Sequence, residues 1–320
     1  MRIRIVDAFT DRAFRGNQAG VCLLPAGPWP QEAWMRRLAA ELNLAETAYA
    51  RPSEDEAADW DLRWFTPGAE VAMCGHATLA TAHALHEDGL AGGPVRFGTL
   101  SGVLVTSVGP DGLITMDFPA SPATPLTPPA GLVDALGVTP VGVFDTGALG
   151  DILVELPDAA AVHDLTPDLR GLTALSAADA SVPGGRPGER CVIVTAPAAP
   201  GADHDFVSRV FCPAVGVPED PVTGSAHTAL GPFWGARFGG DELVGLQASP
   251  RSGLVRVEVR GSRVLLHGYA VTVLDGTLTP AAQPTGFAHA AGFAQSTGFA
   301  QSTGFAQDAG SEAAAAGVTA

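Results

Sequence analysis

Residues that could carry acid–base chemistry occur in two copies of one short motif. The first copy spans residues 65–77 and contains Phe-Thr-Pro, a polar loop and Cys-Gly-His-Ala. The second copy spans residues 211–226 and contains Phe-Cys-Pro, a longer loop and Thr-Gly-Ser-Ala. In each copy a strand-like entry leads to a residue with a reactive heteroatom, a glycine and a helix of small residues. Two equivalent turns of this kind predict two similar halves that face one cleft and direct two helix N-termini at one ligand.

The two motif glycines, Gly75 and Gly224, are predicted to let the backbone approach that ligand closely. Glycine has no Cβ, so its neighbouring N–H groups can reach a bound molecule. The free N–H groups and the positive dipole end of a helix N-terminus favour carboxylates and similar anions. We therefore expect a small carboxylate substrate between the two glycines, in contact with the adjacent residues Cys74, Thr223 and Ser225.

Three titratable residues are candidates for proton transfer, and each has a structural alternative. Glu46 is either an exposed carboxylate at a helix end or a buried carboxylate whose raised pKa suits it to abstract a proton. His76 is either a general acid or a helix cap, and Asp220 either orients a substrate amine or forms the turn before Pro221. Ser225 can cap its helix and bind substrate at once, because the two roles are compatible.

Composition and cysteine spacing exclude several classes of function. The net charge is −16 and no run of Lys or Arg occurs, which argues against nucleic-acid binding. No G-x-G-x-x-G or related fingerprint supports a nucleotide cofactor. No signal-peptide core and no apolar run of about 18 residues occurs, so we expect a cytoplasmic protein with reduced thiols and no membrane contact. No C-x-x-C spacing occurs, and neither a zinc site nor a disulfide framework is expected from Cys22, Cys74, Cys191 and Cys212.

Many short strands and few helices in each half predict an α+β fold of two similar domains. Each domain is expected to be a curled β-sheet or barrel around a central helix, with the active site in the cleft between them. The predicted boundaries are 1–120 for the N-terminal domain and 128–263 for the C-terminal domain. The last strand, about residues 264–276, is expected to pack on the N-terminal domain. Residues 281–320 repeat Thr-Gly-Phe-Ala, and these repeats are too short to bury a core, which predicts a disordered tail.

Taken together, these motifs resemble the phenazine-biosynthesis PhzF-like family. The resemblance follows the same order over roughly residues 1–276 and rests on residues 16–20, 46–48, 65–78 and 219–227. The family is similar in fold to the diaminopimelate epimerases, which have two similar domains and a cleft between them. It works without a metal or organic cofactor and is commonly dimeric, so the resemblance implies no cofactor, no metal and a homodimer.

The resemblance also implies roles for individual residues. The family's best-understood activity is the isomerisation of a dihydro-hydroxyanthranilate, in which a glutamate moves a proton within the substrate. By motif match that glutamate is Glu46, and the assisting residues are His76, Asp220 and Ser225. Asn17 joins the expected substrate-binding residues. The implied function is a cofactor-independent isomerase of a small carboxylated, amino-bearing metabolite.

Two other functions stay open from the residues themselves. Related epimerases place a thiol before both motif glycines, whereas this chain has Cys74 and Thr223. Threonine is a very poor base near neutral pH, so one thiol cannot run a two-thiol racemisation. A Cys/Thr pair also resembles proline-racemase-like dehydratases, which leaves a Cys74-dependent epimerase or dehydratase of an amino or imino acid as the second hypothesis. The third is a small-anion binding protein without catalysis.

Overall fold

The N-terminal half of the chain consists of short strands, one surface helix and one buried helix. The structure is a computed structural model that describes residues 1–178 and 190–284. The strands of this half are β1 Arg2–Ala8, β2 Asn17–Leu23, β3 Glu46–Pro52, β4 Trp60–Phe65, β5 Glu70–Val71, β6 Val95–Thr99, β7 Gly102–Val108 and β8 Ile114–Pro119. Its helices are α1 Glu32–Leu42 and α2 Gly75–Glu87.

The C-terminal half repeats this order with additional short helices. Its strands are β9 Thr124–Pro125, β10 Gly142–Asp145, β11 Ile152–Glu155, β12 Val192–Pro197, β13 Phe206–Cys212, β14 Val217–Asp220, β15 Glu242–Gln247, β16 Gly253–Arg260, β17 Arg263–Gly268 and β18 Ala270–Thr277. Its helices are α3 Leu132–Leu136, α4 Ala159–His163, α5 Leu169–Ala178 and α6 Gly224–Phe238.

Strand pairing shows the internal duplication directly. In the first half β1–β2 is antiparallel, β2–β3 parallel, β3–β4 antiparallel and β4–β6 parallel, and β6, β7 and β8 follow antiparallel. The second half repeats these directions in the same order. There β10–β11 is antiparallel, β11–β12 parallel, β12–β13 antiparallel and β13–β15 parallel, and β15, β16 and β17 follow antiparallel. An antiparallel pairing of β8 with β17 joins the halves into one sheet. The prediction of an α+β fold with two similar halves is confirmed.

Helices α2 and α6 lie at the centres of the two halves. Nearly every residue of α2 from Gly75 to Leu85 is buried, and α6 is buried along most of its length. Both sequences are mostly small or apolar and have a charged residue only near the C-terminal end, a composition typical of helices with little solvent-facing surface. Helix α2 packs against β1, β2, β3, β7 and β8, and α6 packs against β15, β16 and β17. The sheet of each half therefore curls around its own helix and holds that helix in a fixed position.

Several elements differ from the sequence-based expectation. The single strand predicted near the end of the domain is two strands, β17 and β18, and β18 pairs with β1 of the N-terminal half. The short strand β14 was not predicted, because it has only four residues and contains Pro218. Strand β15 was also missed, although its buried positions alternate as expected for a half-buried strand.

The expectation of four reduced cysteines is wrong for Cys191 and Cys212, which form a disulfide. The two residues are 21 positions apart in the sequence, and no short spacing motif announces the pair. They meet because Val192 of β12 lies opposite Phe211 of β13 in an antiparallel pair. Cys191 precedes Val192 and Cys212 follows Phe211, so the two cysteines lie side by side. Their Cα atoms are 4.4 Å apart, within the range that a disulfide spans.

The predicted tail, residues 281–320, lies almost wholly outside the residues that the structure describes. Residues 285–320 are not among the described residues. Pro280–Ala282 form a 3₁₀ turn, and the carbonyl of Ala282 accepts a hydrogen bond of 2.9 Å from the Trp34 indole of α1. Residues up to Pro284 thus belong to the fold. Within the described ranges, no helix combines the length and apolar character that crossing a bilayer requires.

Candidate active site

The two copies of the motif meet at the N-termini of α2 and α6. A Cβ built on Gly75 would lie 3.7 Å from the Cα of Gly224, so the two glycines are in direct contact range. A Cβ at either position would make only an ordinary van der Waals contact with the opposite glycine, at 3.7 or 3.8 Å, so the two helix ends lie within reach of one small ligand. The residues before the glycines, Cys74 and Thr223, are the N-cap residues of the two helices and have extended backbone conformations. Both helix dipoles therefore point their positive ends at one region.

Glu46, His76 and Cys74 form a buried cluster beside this meeting point. Glu46 is the first residue of β3, and its Oε2 lies 3.3 Å from Nε2 of His76 in the first turn of α2. The Cys74 sulfur lies 3.5 Å from Nδ1 and 3.9 Å from Nε2 of the same imidazole. One oxygen, one nitrogen and one sulfur donor from these three side chains all lie within 4.8 Å of one another. This set has the donor atoms that could hold a metal ion.

Asn17 joins the cluster to the second half of the molecule. Its amide nitrogen donates hydrogen bonds to Asp220 Oδ1 at 2.8 Å and to the Val222 carbonyl at 2.9 Å, and it lies 3.2 Å from His76 Nδ1. If the amide were turned over, its oxygen would face the Asp220 carboxylate and the Val222 carbonyl, which are both acceptors. These two contacts therefore fix which end of the Asn17 amide is the nitrogen. In the described part of the chain, Asn17 Oδ1 is a buried acceptor with no hydrogen-bond partner.

The carboxyl groups of Glu46 and Asp220 have raised pKa values. Burial, followed by repulsion from Asp220, raises the pKa of Glu46 to about 7, and a hydrogen bond from Cys74 partly opposes this. Burial also raises the pKa of Asp220 to about 6, against hydrogen bonds from Thr223 and Asn17 that stabilise the carboxylate. Near neutral pH Glu46 is therefore poised between its protonated and ionised forms, as a group that both accepts and returns a proton should be.

His76 and Cys74 are uncharged in this environment. Burial lowers the pKa of His76 to about 4, so the imidazole is neutral at physiological pH. A proton on Nε2 would point at the Glu46 carboxylate, and we assign this tautomer from that contact. Unprotonated Nδ1 then lies 3.2 Å from the Asn17 amide nitrogen. Burial, with the nearby Glu46 charge, raises the pKa of Cys74 well above its usual range. Cys74 is thus a thiol, not a thiolate.

Ser225 is the one predicted residue outside the network. It lies in the first turn of α6, and its hydroxyl takes part in none of the hydrogen bonds that join the other predicted residues. Its backbone carbonyl accepts a hydrogen bond from Thr228. The structure therefore brings together Glu46, Asn17 and the two motif turns, whereas the Ser225 hydroxyl makes no hydrogen bond to the other predicted residues among those described.

Gln247 is a residue of this site that the sequence analysis missed. It is the last residue of β15 and is fully buried. Its Oε1 accepts a hydrogen bond of 2.8 Å from the Thr223 N–H, and its Nε2 donates to the Asp220 carbonyl at 2.8 Å and to the Thr223 hydroxyl at 3.1 Å. That hydroxyl in turn donates to the Asp220 carboxylate. Gln247 therefore fixes the turn that carries Asp220 into the site.

Replacing Gln247 with methionine should lower the free energy of unfolding by about 1–3 kcal/mol, because buried backbone groups lose their partners. Chemical denaturation measures this change. Ser208 offers a matched control, since it lies opposite Gln247 in β13 and its buried hydroxyl has no hydrogen-bond partner among the described residues. Ser208→Ala should be close to neutral. Equal losses in the two variants would contradict a specific role for the Gln247 amide.

The loop that carries Asn17 is held by the C-terminal half. Gly16 donates a backbone hydrogen bond of 2.7 Å to the carbonyl of Ser252. Arg251 donates to the Gly16 carbonyl at 2.8 Å and forms an ion pair of 2.7 Å with the buried Asp7. The position of Asn17 in the site therefore depends on contacts between the two halves.

Comparison with known proteins agrees with this architecture. A sequence model described as phenazine biosynthesis-like protein (PhzC-PhzF) matches residues 6–276. The chain belongs to the phenazine biosynthesis-like family. An uncharacterized isomerase of Halalkalibacterium halodurans is 41% identical over 279 residues, which cover 86% of this chain and 97% of that protein.

Solved structures of the phenazine biosynthesis-like family show the same fold. A PhzF-family crystal structure from Enterococcus faecalis has a TM-score of 0.75 at 36% identity and covers 86% of this chain and 97% of that one. A probable proline racemase from Agrobacterium radiobacter, at 13% identity and a TM-score of 0.58, covers 87% of this chain and 93% of that one and shares the fold alone. The diaminopimelate epimerase-like architecture expected from the resemblance is confirmed, and the relatives' names support an isomerase at that coarse level.

Proposed function

We propose that the protein is a cofactor-independent isomerase that moves a proton within a small carboxylated, amino-bearing metabolite. The observation that carries the proposal is the position of Glu46, a mostly buried carboxyl group with a pKa raised to about 7, beside the meeting helix N-termini. Enzymes that move protons near neutral pH use groups with pKa values of this kind.

The proposed reaction uses Glu46 as the proton carrier and the two helix N-termini as the groups that stabilise negative charge. Ionised Glu46 removes a proton from a carbon of the substrate, and the electron pair of the broken C–H bond delocalises towards the substrate carboxylate or a conjugated double bond. The N-termini of α2 and α6 stabilise the negative charge that develops there. Protonated Glu46 then returns the proton to a different carbon, so that substrate and product have the same atoms.

Asn17 and Asp220 support an amino-bearing substrate. The Asn17 Oδ1 has no partner among the described residues, and a buried acceptor left unpaired is costly. An amine or hydroxyl donor of the substrate would satisfy it. The adjacent Asp220 carboxylate would complement a protonated amine, which favours an amino carboxylate over a simple carboxylate.

The site is less suited to the thiol mechanism. Cys74 is a protonated thiol, because burial raises its pKa, and a racemase base must be ionised. Its counterpart Thr223 donates its hydroxyl proton to Asp220 and is not available as a second base. These two features favour Glu46 over Cys74 as the group that carries the proton.

Solvent deuterium exchange tests the proposal. The protein is incubated in D2O with a panel of small amino and unsaturated amino carboxylates, and ¹H NMR follows both deuterium uptake and the position of the double bond. We expect exchange coupled to a shift of unsaturation for the cognate compound. A shift of unsaturation without deuterium uptake would also support the isomerase, since Glu46 then returns the proton before solvent replaces it. Exchange with inversion at a single carbon would support the epimerase instead, and tight binding of a panel compound with neither exchange nor a shift of unsaturation would support the anion-binding protein.

A further inference from the structure

We propose that Thr78 and His227 are positioning residues that aim the N–H groups of Gly75 and Gly224 at the substrate. Each side chain donates a hydrogen bond to the backbone carbonyl of the residue that precedes a motif glycine. That the target of the N–H groups is the negative charge of a substrate rests on the proposed function. The direction of the N–H groups themselves depends on the two hydrogen bonds alone.

The two hydrogen bonds occupy equivalent positions in the two halves. In α2 the Thr78 hydroxyl donates to the Cys74 carbonyl at 2.6 Å. In α6 the Nδ1 atom of His227 donates to the Thr223 carbonyl at 2.8 Å. Each donor follows its motif glycine by three residues. Two different side chains, a hydroxyl and an imidazole, thus make the same bond to the carbonyl of an N-cap residue.

The imidazole of His227 acts here as a neutral donor. A carbonyl oxygen only accepts hydrogen bonds, so we assign the ring proton to Nδ1. The residue is fully buried, and burial lowers its pKa to about 4, so the ring carries no charge near neutral pH. Its Nε2 has no hydrogen-bond partner among the described residues. Within that part of the chain, the bond to Thr223 is therefore the one hydrogen bond of the ring.

Each of these carbonyls belongs to the same planar peptide unit as the N–H group of the motif glycine. In a trans peptide the C=O and the N–H point in opposite directions, so a bond that holds the carbonyl also sets the direction of the N–H. The Cys74 carbonyl faces along α2 towards Thr78, which it meets through both the hydroxyl and the backbone N–H. The Gly75 N–H therefore points away from the helix end.

The N–H groups of Gly75 and Gly224 are available to a ligand. The two glycines are the first residues of α2 and α6, and the first N–H groups of a helix have no acceptor inside it. Among the described residues, neither N–H donates to another backbone carbonyl. Donors that are fixed in direction before the substrate arrives stabilise negative charge without a cost of reorganisation.

An ordinary hydrogen bond within a helix does not have this consequence. The Thr81 hydroxyl donates to the Ala77 carbonyl at 2.7 Å, one turn further along α2. The N–H of that peptide unit belongs to Thr78 and already donates to the Cys74 carbonyl at 3.1 Å. The helix thus fixes the direction of this unit without the hydroxyl. Because Thr78 and Thr81 are both fully buried, Thr81 is a matched control for Thr78.

Isotope labelling makes the Gly75 N–H observable by itself. The sequence contains a single Cys–Gly pair, Cys74–Gly75, so carbonyl-¹³C cysteine combined with ¹⁵N glycine selects one amide signal in the NMR spectrum of the full chain. We expect this signal to move in Thr78→Val, which removes the hydroxyl and keeps the shape, and to stay in place in Thr81→Val. Thr78→Ser retains a hydroxyl and should restore the wild-type position. A Gly75 signal that stays in Thr78→Val, or moves as far in Thr81→Val, would overturn the proposal.

Turnover of the cognate compound, followed by deuterium uptake or by the shift of unsaturation, measures the effect on the reaction. In Thr78→Val and in His227→Leu, kcat should fall by about tenfold and by more than KM rises, because the N–H groups act on charge that develops in the transition state. Complete loss of such a donor costs about 100–1000-fold, and a misdirected donor costs less. Thr81→Val should keep the wild-type kcat. His227→Asn, whose amide can donate to the same carbonyl, should keep more activity than His227→Leu.

The outcomes separate this role from the proposed function. A Gly75 signal that moves in Thr78→Val while kcat equals that of Thr81→Val would refute a role of this N–H in the reaction. Neither exchange nor a shift of unsaturation by the wild type with any compound of the panel would refute the isomerase. A Gly75 signal that moves in Thr78→Val alone would even then support Thr78 as the residue that directs this N–H.

Discussion

Replacing Glu46 with glutamine is expected to lower the rate of solvent exchange by at least about 100-fold while the fold is retained. Glutamine keeps the size and polarity of the side chain but can neither accept nor return a proton at neutral pH. The glutamine side-chain oxygen can still accept the hydrogen bonds that His76, 3.3 Å away, and Cys74 direct at Glu46. Deuterium uptake by the cognate substrate measures the loss, and circular dichroism checks the fold.

The same variant should change how stability depends on pH. The pKa of Glu46 is raised from 4.5 to about 7 in the folded protein. Between these values the folded protein keeps a proton that the unfolded chain has lost. The free energy of unfolding of the wild type should therefore fall, relative to Glu46→Gln, as pH rises from 4.5 to about 7. Burial lowers the pKa values of His76 and His227, which has the opposite sign, and both residues are present in each protein.

Two further variants make the test specific. Glu41→Gln changes an exposed glutamate of α1 and should leave both exchange and its pH dependence unchanged. Cys74→Ala should keep at least about tenfold more exchange activity than Glu46→Gln, because a thiol of raised pKa is a poor base. Loss of exchange in Cys74→Ala together with normal exchange in Glu46→Gln would remove Glu46 from the mechanism and favour the thiol-dependent epimerase or dehydratase.

The meeting of the two motifs could be predicted from the sequence because each strand-to-helix turn is determined by residues that are close together in the chain. A strand entry, an N-cap residue and a glycine specify a turn whatever the rest of the fold does. Two equal turns on two equal halves then place Gly75 opposite Gly224 by symmetry. Glu46 lies outside both motifs in the sequence, and the pairing of β3 with β4 brings it beside the first turn.

The parts that the sequence could not predict depend on contacts between distant residues. Gln247 reaches Thr223 only because β15 lies parallel to β13, and a glutamine in a strand has no pattern that identifies it as a turn support. The disulfide likewise depends on the register of β12 and β13, which places Cys191 beside Cys212. Neither contact follows from periodicity or spacing.

The two halves share a fold but have different side chains at equivalent positions. The register of β3 with β4 and of β12 with β13 makes Phe65 correspond to Phe211, and Glu46 therefore corresponds to Cys191. Cys191 is held in a disulfide and is not available as an acid or a base. One half thus supplies the ionisable group at this position and the other does not. The proposed proton carrier therefore comes from one half of the molecule alone.

Replacing Gly16 with alanine is expected to lower the free energy of unfolding by at least about 2 kcal/mol. Gly16 has a φ of +65°, a left-handed conformation that costs an alanine about 1–2 kcal/mol. An added Cβ would also lie 2.1 Å from the backbone oxygen of Ala8, which cannot move without breaking the pairing of β1 with β2. Because Gly16 precedes Asn17, the same strain should displace the Asn17 amide from Asp220 and reduce exchange activity.

Gly89 separates the two causes of this loss. It has nearly the same φ, +67°, but no atom lies within 4 Å of a Cβ built there. Gly89→Ala should therefore show the conformational cost alone, about 1–2 kcal/mol, and leave exchange unchanged. Chemical denaturation of both variants gives the difference, which measures the clash between Gly16 and β1. If the two variants lose the same stability, or if Gly16→Ala keeps full exchange, the loop does not position Asn17 through the close packing described above.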